Sequence, residues 1–200
     1  MNVEKRVIRQ QLRERRRALS AEAVEAAGRA VQQGLRALLP YTLAVSVIGY
    51  IADENEVPTA GVLEEAARSG RNLYLPHSDG GVVRWRLGYS LAVGQGGVRE
   101  PLRGVPEYPE TPAVALLPLV AWDRYGGRLG RGGGFYDRLF AVLTRGITRV
   151  GLAFEFQEYA ELPRDPWDVS LNYVITERRI VRCGGLVAEV SFQKGGLQLS

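Results

Sequence analysis

The feature that most constrains the fold is the run from Leu43 to Ile51, which is almost unbroken in its apolar character and rich in Val and Ile. A strand with one wet face alternates polar and apolar side chains. An unbroken run reads as a strand buried on both faces, so other elements must cover each of them. The neighbouring sequence supplies the covers. Glu4 to Leu19 carries a sparse stripe at Ile8, Leu12 and Leu19 among strong helix formers, which predicts a helix docked by one face. Ser20 then reads as an N-cap, and Val24, Ala27, Val31, Leu35 and Leu38 follow at spacings of three and four until Pro40, a second amphipathic helix. Pro58 opens a helix through Arg68, Gly70 stops it, and Asn72 to Leu75 forms the next strand. That completes a β-α-β unit, which is right-handed as a rule.

Further along, Val82 to Leu87 alternates as a strand towards an edge, and Gly88 to Pro112 holds enough Gly and Pro to be mostly loop. Ala113 to Leu117, Arg149 to Phe154 and Tyr173 to Thr176 read as further strands, with Leu186 to Phe192 as a final edge strand. The expectation is an α/β chain, a single three-layer domain with a mostly parallel mixed sheet and helices on both faces. With 200 residues, 46% of them hydrophobic, the chain suffices for one well-buried core spanning 1–200.

The central chemical signal is Arg128-Leu129-Gly130-Arg131-Gly132-Gly133-Gly134-Phe135-Tyr136-Asp137. Its glycines let the backbone turn with positive φ and let successive N–H groups converge on an anion. Arg128 and Arg131 add positive charge. Apolar residues from Phe135 to Leu143 recur at helical spacing, which puts the glycines at a helix N-terminus where the dipole favours phosphate. Asp137, in the first turn, offers a hard oxygen ligand beside that phosphate, suited to magnesium. A plain surface turn followed by an ordinary helix gains nothing from charge concentrated on its glycines. Neither Gly-x-x-x-x-Gly-Lys-Ser/Thr nor Gly-x-Gly-x-x-Gly occurs, so P-loop and dinucleotide readings lack support. Because the segment follows the strand Ala113 to Leu117, the site falls at the carboxyl end of a central strand.

Composition narrows the partners. The net charge of +4 attracts phosphates of any kind, but no basic platform interleaved with aromatics appears, which disfavours nucleic acid. Cys183 is the one cysteine and His77 the one histidine. An internal disulfide is therefore excluded, and no Cys/His or Ser/His/Asp set suggests itself. The charged N-terminus lacks the apolar core of a signal peptide and no apolar run approaches membrane-spanning length, so a cytoplasmic protein without membrane contact is expected.

The glycine segment, with Pro118-Leu119-Val120-Ala121-Trp122-Asp123 before it, resembles the signature of the 5-formyltetrahydrofolate cyclo-ligase family. That pattern runs Pro-Gly-x-Ala-Phe-Asp, then Arg-Leu-Gly-x-Gly-x-Gly-Tyr-Tyr-Asp; Leu119, Trp122 and Phe135 are departures that keep apolar or aromatic character. Lys5-Arg6-Val7-Ile8-Arg9 is similar to the family's Lys-x-x-Leu-Arg element, and Asn55-Glu56-Val57-Pro58-Thr59 to its Gly-Glu-Val-Asp-Thr, with Pro58 departing. Val98-Arg99-Glu100-Pro101 matches an Ile-x-Glu-Pro loop, Phe154-Glu155-Phe156-Gln157 a Phe-x-x-Gln segment, and Asp165-Pro166-Trp167-Asp168-Val169 a Pro-x-Asp-Val/Met element. The resemblance covers about residues 3–177 and gives the tail 178–200 no role.

The resemblance implies ATP-dependent closure of 5-formyltetrahydrofolate to the 5,10-methenyl form, with ATP and Mg2+ as cofactors, a reduced folate as substrate, and a monomer or weak dimer. It implies phosphate contacts from Lys5, Arg9, Arg128 and Arg131 and from the segment Gly130, Gly132, Gly133, Gly134, Phe135 and Tyr136, with Lys5 and Arg131 as the catalytic cations. Magnesium falls to Asp137 and Asp168, and the pterin to Glu56, Tyr136 and Trp122. Taken alone, Lys5 and Arg9 also fit a solvated helix face, Glu56 a favourable charge before a helix, and Asp168 a turn residue. A related ligase acting on a non-folate substrate, or an RNA-binding protein built on the same domain, remain alternatives.

Overall fold

In the computed structural model, which describes residues 3–77, 81–86, 90–94, 99–102, 104–143, 145–184, 189–193 and 196–199, the central apolar run contracts to a short strand, β1 (Ser46–Ile48). Before it, α1 (Val3–Arg17) and α2 (Ala21–Ala37) form as the periodicity predicts, and Ser20 caps α2 by accepting from Ala23 N at 3.2 Å. Pro40 does not end helical structure; it sits in the first turn of α3 (Leu39–Thr42), where a missing N–H costs nothing. Leu43 and Val45 are exposed, so the apolar run is longer than the strand it contains.

The next elements are α4 (Ala60–Arg68), β2 (Asn72–Pro76) and β3 (Val82–Trp85). Helix α4 begins after Thr59, two residues beyond the Pro58 start read from the sequence. The stretch expected to be mostly loop holds a hairpin of β4 (Leu91–Val93) and β5 (Arg99–Pro101), too short to show as alternation. The remaining strands before the glycine loop are β6 (Ala113–Pro118) and the small pair β7 (Ala121–Trp122) and β8 (Arg128–Leu129). After it come α5 (Phe135–Val142), β9 (Ile147–Leu152), β10 (Tyr173–Ile175), β11 (Arg179–Arg182), β12 (Glu189–Gln193) and β13 (Gly196–Leu199). Of the strand read at Leu186 to Phe192, residues 186–188 lie outside the described residues, as do Leu87 and Val98. The rest belongs to β12, and β13, not β12, forms the edge.

The main sheet runs β13-β12-β11-β10-β9-β6-β1-β2-β3. Its five central strands pair in parallel and the outer pairs are antiparallel. The tail, given no role by the resemblance, thus extends the sheet by three strands. Successive residues point to opposite faces: Val47 joins the cluster under α2, α3 and α4, while Ile48 joins the one under α5. Burial on both faces, read from the run at Leu43 to Ile51, is what the strand shows. On the first face Val31 and Leu35 are fully buried, each worth about 1.5–3 kcal/mol of transfer. A third, smaller cluster docks α1 through Ile8 onto Ala121, Leu129 and Leu162.

The chain passes from β1 to β2 on one side and only later places β6 on the other side of β1. The strand order therefore reverses between β1 and β6, and the connections leave their carboxyl ends in opposite directions. Such a reversal opens a crevice at that end of an open α/β sheet.

Candidate active site

A cavity of about 660 Å³ occupies that crevice. Its walls are the chain after β1 (Tyr50, Ile51, Asp53, Glu56), the end of β6, the glycine loop with the first turn of α5, the α1 residues Lys5 and Arg9, and a turn at 165–168. Every residue assigned to the site from the sequence lines it except Trp122.

The loop is built by its glycines in two ways. Gly132 and Gly134 have φ of +106° and +62°, where a side chain is strained. At Gly130 and Gly133 a Cβ would meet nothing within 4 Å among the described residues. The protein itself leaves that space open, a cradle that side chains would fill. Gly134 also caps α5 without a side-chain hydrogen bond; its carbonyl accepts from Arg138 N at 3.1 Å, and no cap side chain meets the N–H groups before that.

The cavity lining carries five cations and five acids, and most pair with one another. Lys5, buried on α1, places Nζ 2.7 Å from Asp165 and 3.0 Å from Asp168. Burial works to lower its pKa, but the two carboxylates outweigh that and raise it. Arg128 donates to Asp137 at 2.7 Å and to the Val169 carbonyl at 2.7 Å. Arg131 reaches both Glu56 and Asp53 at 3.1 Å. Arg9 and Arg138 differ: Arg9 Nε donates to Gly130 O at 2.8 Å and Arg138 Nη1 to Gly133 O at 2.7 Å. Among the described residues neither has a carboxylate partner. Two guanidinium groups are thus held on the carbonyls of the glycine loop with no carboxylate in contact among the described residues, the Asp168 charge acting on Arg9 only from longer range, an arrangement that suits an incoming anion.

Glu56 is 6% exposed and its Oε2 accepts from Asp53 N at 3.2 Å. Desolvation raises its pKa, against the pull of Arg131 and Arg16. Nearby, the Tyr136 hydroxyl is buried and has no hydrogen-bond partner among the described residues, its ring set edge-on to Phe135 and stacked on Phe140. Burial, then the Glu56 charge, push the phenol far above its ordinary range, so it stays protonated. An orphaned buried donor beside a carboxylate suits a polar ligand edge.

The two aspartates named for magnesium both face the cavity. Asp137 Oδ1 accepts from Arg128 and from Val169 N at 3.1 Å, and Asp168 Oδ2 from Lys5 and from Asp165 N at 2.8 Å. For Asp168, burial is outweighed by the Asp165 N–H and Lys5, which hold its pKa down. Their other oxygens, Asp137 Oδ2 and Asp168 Oδ1, make no hydrogen bond among the described residues. The donor set is hard oxygen and fits magnesium. No group of three or more His, Cys, Asp or Glu side chains able to hold a metal occurs among the described residues, so such an ion needs oxygens from phosphate and water as well.

Trp122, named for the substrate, is corrected by its position. It is fully buried in the cluster beneath α5 and lies under the Arg179 guanidinium. Strand β7 turns it into the core, and it is not among the residues that line the cavity. Other residues were given no role from the sequence, although Asp123 and Gln157 stand in the matching motifs. Arg16, 1% exposed, donates to Glu54 O at 3.0 Å and Leu119 O at 3.1 Å, although it reads as one of several arginines on a charged helix. Asp123, fully buried, accepts from the N–H groups of Tyr125, Gly127 and Leu162 and from Arg164. It thereby ties the β7–β8 hairpin to the chain leading into the turn at 165–168. Gln157 braces the end of β6 by donating to Leu119 O and Val120 O at 2.7 and 2.9 Å. Arg138, Asp53 and Trp167 also line the cavity. Of these Arg138 was the most accessible, one residue beyond the signature.

Comparison with known proteins gives a consistent result. The family model described as "5-formyltetrahydrofolate cyclo-ligase family" matches residues 1–177. The 5-formyltetrahydrofolate cyclo-ligase of Escherichia coli K12 is 31% identical over 178 residues, covering 84% of this chain and 98% of that protein. The Haemophilus influenzae protein of the same name is 32% identical over 181 residues, covering 86% and 97%. Among solved structures, Aquifex aeolicus 5,10-methenyltetrahydrofolate synthetase superposes with a TM-score of 0.74 at 28% identity, over 91% of this chain and 94% of that one.

Proposed function

Because the chain belongs to the 5-formyltetrahydrofolate cyclo-ligase family, we propose that its cleft carries out that reaction through the residues just described. The enzyme is a ligase: it converts 5-formyltetrahydrofolate to 5,10-methenyltetrahydrofolate with ATP, releasing ADP and phosphate. Chemically, the γ-phosphoryl group passes to the formyl oxygen, the N10 amine attacks the activated carbon, and departure of phosphate leaves the methenyl ring. Such a sequence needs positioning and charge neutralisation more than a side-chain nucleophile. That agrees with a site made of cations, acids and backbone. The observation that carries the assignment of roles is the gathering of Lys5, Arg9, Glu56, the glycine loop and Asp168 around one cavity at the β1/β6 reversal.

In this reading the space over Gly130 and Gly133 receives the phosphates, flanked by Arg9 and Lys5. Arg131 bridges to the folate side, since it already holds Glu56. Glu56 and the Tyr136 hydroxyl accept from and donate to the pterin edge and fix its register. Asp137 and Asp168 hold magnesium, which supplies neutralisation of phosphate charge. Arg128 keeps Asp137 oriented from behind, with its own side chain only 6% exposed. Apolar walls from Ile51, Leu119 and Phe135 exclude water from the reacting centre. No described helix is long and apolar enough to cross a membrane, and we place the enzyme in the cytoplasm.

The test is a split of Michaelis constants. Lys5→Ala with Arg9→Ala should raise KM for ATP by about tenfold or more while moving that for 5-formyltetrahydrofolate little, since each removes a charged phosphate contact. Glu56→Gln should do the reverse. If both variants move both constants equally, or neither, the assignment of the two ends of the cleft is wrong.

A further inference from the structure

Of the three tryptophans in the chain, Trp85 and Trp122 are buried, whereas Trp167 is 69% exposed at the mouth of the cavity. It contributes nothing to the core, yet its backbone is closely fixed. Pro166 presets the φ of the turn, Asp168 N donates to Asp165 O at 3.0 Å, and Asp165 N donates to Asp168 Oδ2 at 2.8 Å. Lys5 pins both carboxylates from below. A large indole on a rigid turn, open to solvent beside a cavity, has the form of a preorganised stacking platform.

Which flat ring it receives follows from the polar groups to which the turn is joined. Val169, the next residue, donates to Asp137 and accepts from Arg128. The turn thereby belongs to the set containing Lys5, Asp137 and Arg128. The other set, Arg131 with Glu56 and Asp53, lies after β1. On the reading given above, the first set serves the nucleotide and the second the pterin. We propose that Trp167 is the platform on which the purine base of ATP stacks, so that it sets nucleotide affinity and not folate affinity. Stacking accepts any base with a π-face, so it confers affinity for a nucleoside triphosphate over bare polyphosphate.

The probes are ATP, inorganic tripolyphosphate and 5-formyltetrahydrofolate, each added alone with magnesium while tryptophan emission is followed. Because the other two indoles are buried, ATP should quench the exposed emission strongly and tripolyphosphate should not. Trp167→Ala should weaken ATP binding by about tenfold and leave tripolyphosphate binding within about twofold, the scale of one base–aromatic stack. Trp167→Phe should restore ATP affinity to within about threefold of the original, since a ring remains. ATP affinity unchanged in Trp167→Ala, or quenching by the folate alone and not by ATP, overturns the proposal. Product formation by the unaltered enzyme, measured in parallel, separates the two readings: product with unchanged ATP affinity in Trp167→Ala sinks only the platform, and no product sinks the function.

Discussion

Replacing Arg131 by Ala strands the buried Glu56 carboxylate, and the structure sets the size of the effect. The pair meets at 3.1 Å with side-chain exposures of 27% and 6%. At an effective dielectric of about 20, unit charges at 3.1 Å attract by about 5 kcal/mol before desolvation is subtracted. A charge-assisted hydrogen bond nets about 1.5–3 kcal/mol. Arg16 remains 3.9 Å from Glu56 and compensates in part. A loss of about 2 kcal/mol is therefore expected near neutral pH, which for a chain of this size lowers Tm by about 4–8 °C. The effect must depend on pH. Glu56 already has a raised folded-state pKa through burial. The folded protein thus binds that proton more tightly than the unfolded chain, and stability falls as pH rises from the ordinary carboxylate range through the folded value. Without Arg131 the folded value moves higher, so the fall is deeper. The Tm gap between the two proteins should be small near pH 4, the ordinary carboxylate range, and widen towards neutrality. Glu56→Gln added to Arg131→Ala should close most of it, because no buried carboxylate is left and Arg16 keeps Glu54 as its partner. Thermal melts across that range decide the matter. A gap that is constant with pH, or a double variant as unstable as Arg131→Ala, refutes the reasoning. Turnover of Arg131→Ala should fall by roughly 10², the scale of one lost transition-state charge contact.

Asp137→Asn and Asp168→Asn should each raise the magnesium concentration needed for half-maximal rate, because an amide is a weaker ligand for a hard cation; if only Asp137 responds, Asp168 serves the turn and Lys5 alone. Gly133→Ala should leave Tm nearly unchanged, since a Cβ there meets nothing within 4 Å, yet raise KM for ATP by filling the cradle. Equal kinetics in that variant remove Gly133 from the phosphate site. Asp123→Ala orphans three backbone N–H groups and Arg164 and should cost about 3 kcal/mol or more in denaturant melts; a cost under about 1 kcal/mol shows that the hairpin relaxes around the loss.

What the sequence disclosed follows from the range of the interactions involved. The helix faces of α1 and α2, the Ser20 cap and the glycine loop before α5 are local patterns, and each forms where the pattern lies. Strand limits were less legible. Leu43 and Val45 belong to the same apolar run as Val47, and only the sheet determines that pairing starts at Ser46. The β4–β5 hairpin and the strands of the tail are stabilised by their neighbours, so their own composition says little. The site divides in the same way. Lys5 and Arg9, one helical turn apart, and the glycines could be named from spacing and resemblance. Arg16 could not be distinguished from the arginines around it until Glu54, Glu56 and the Leu119 carbonyl were seen to enclose it. Trp122 shows the opposite failure, since its aromatic character and place in the signature suggested a ligand contact while β7 turns it into the core. The reversal of strand order that creates the cleft depends on which side of β1 the later strand takes, and no local pattern records that.

The most direct test combines the purified protein with ATP, magnesium and 5-formyltetrahydrofolate and follows the methenyl product by absorbance while ADP is counted. One ADP formed per methenylated folate, with no product when ATP is withheld, is the predicted result. Product without ATP, or ADP release unlinked to ring closure, contradicts the account.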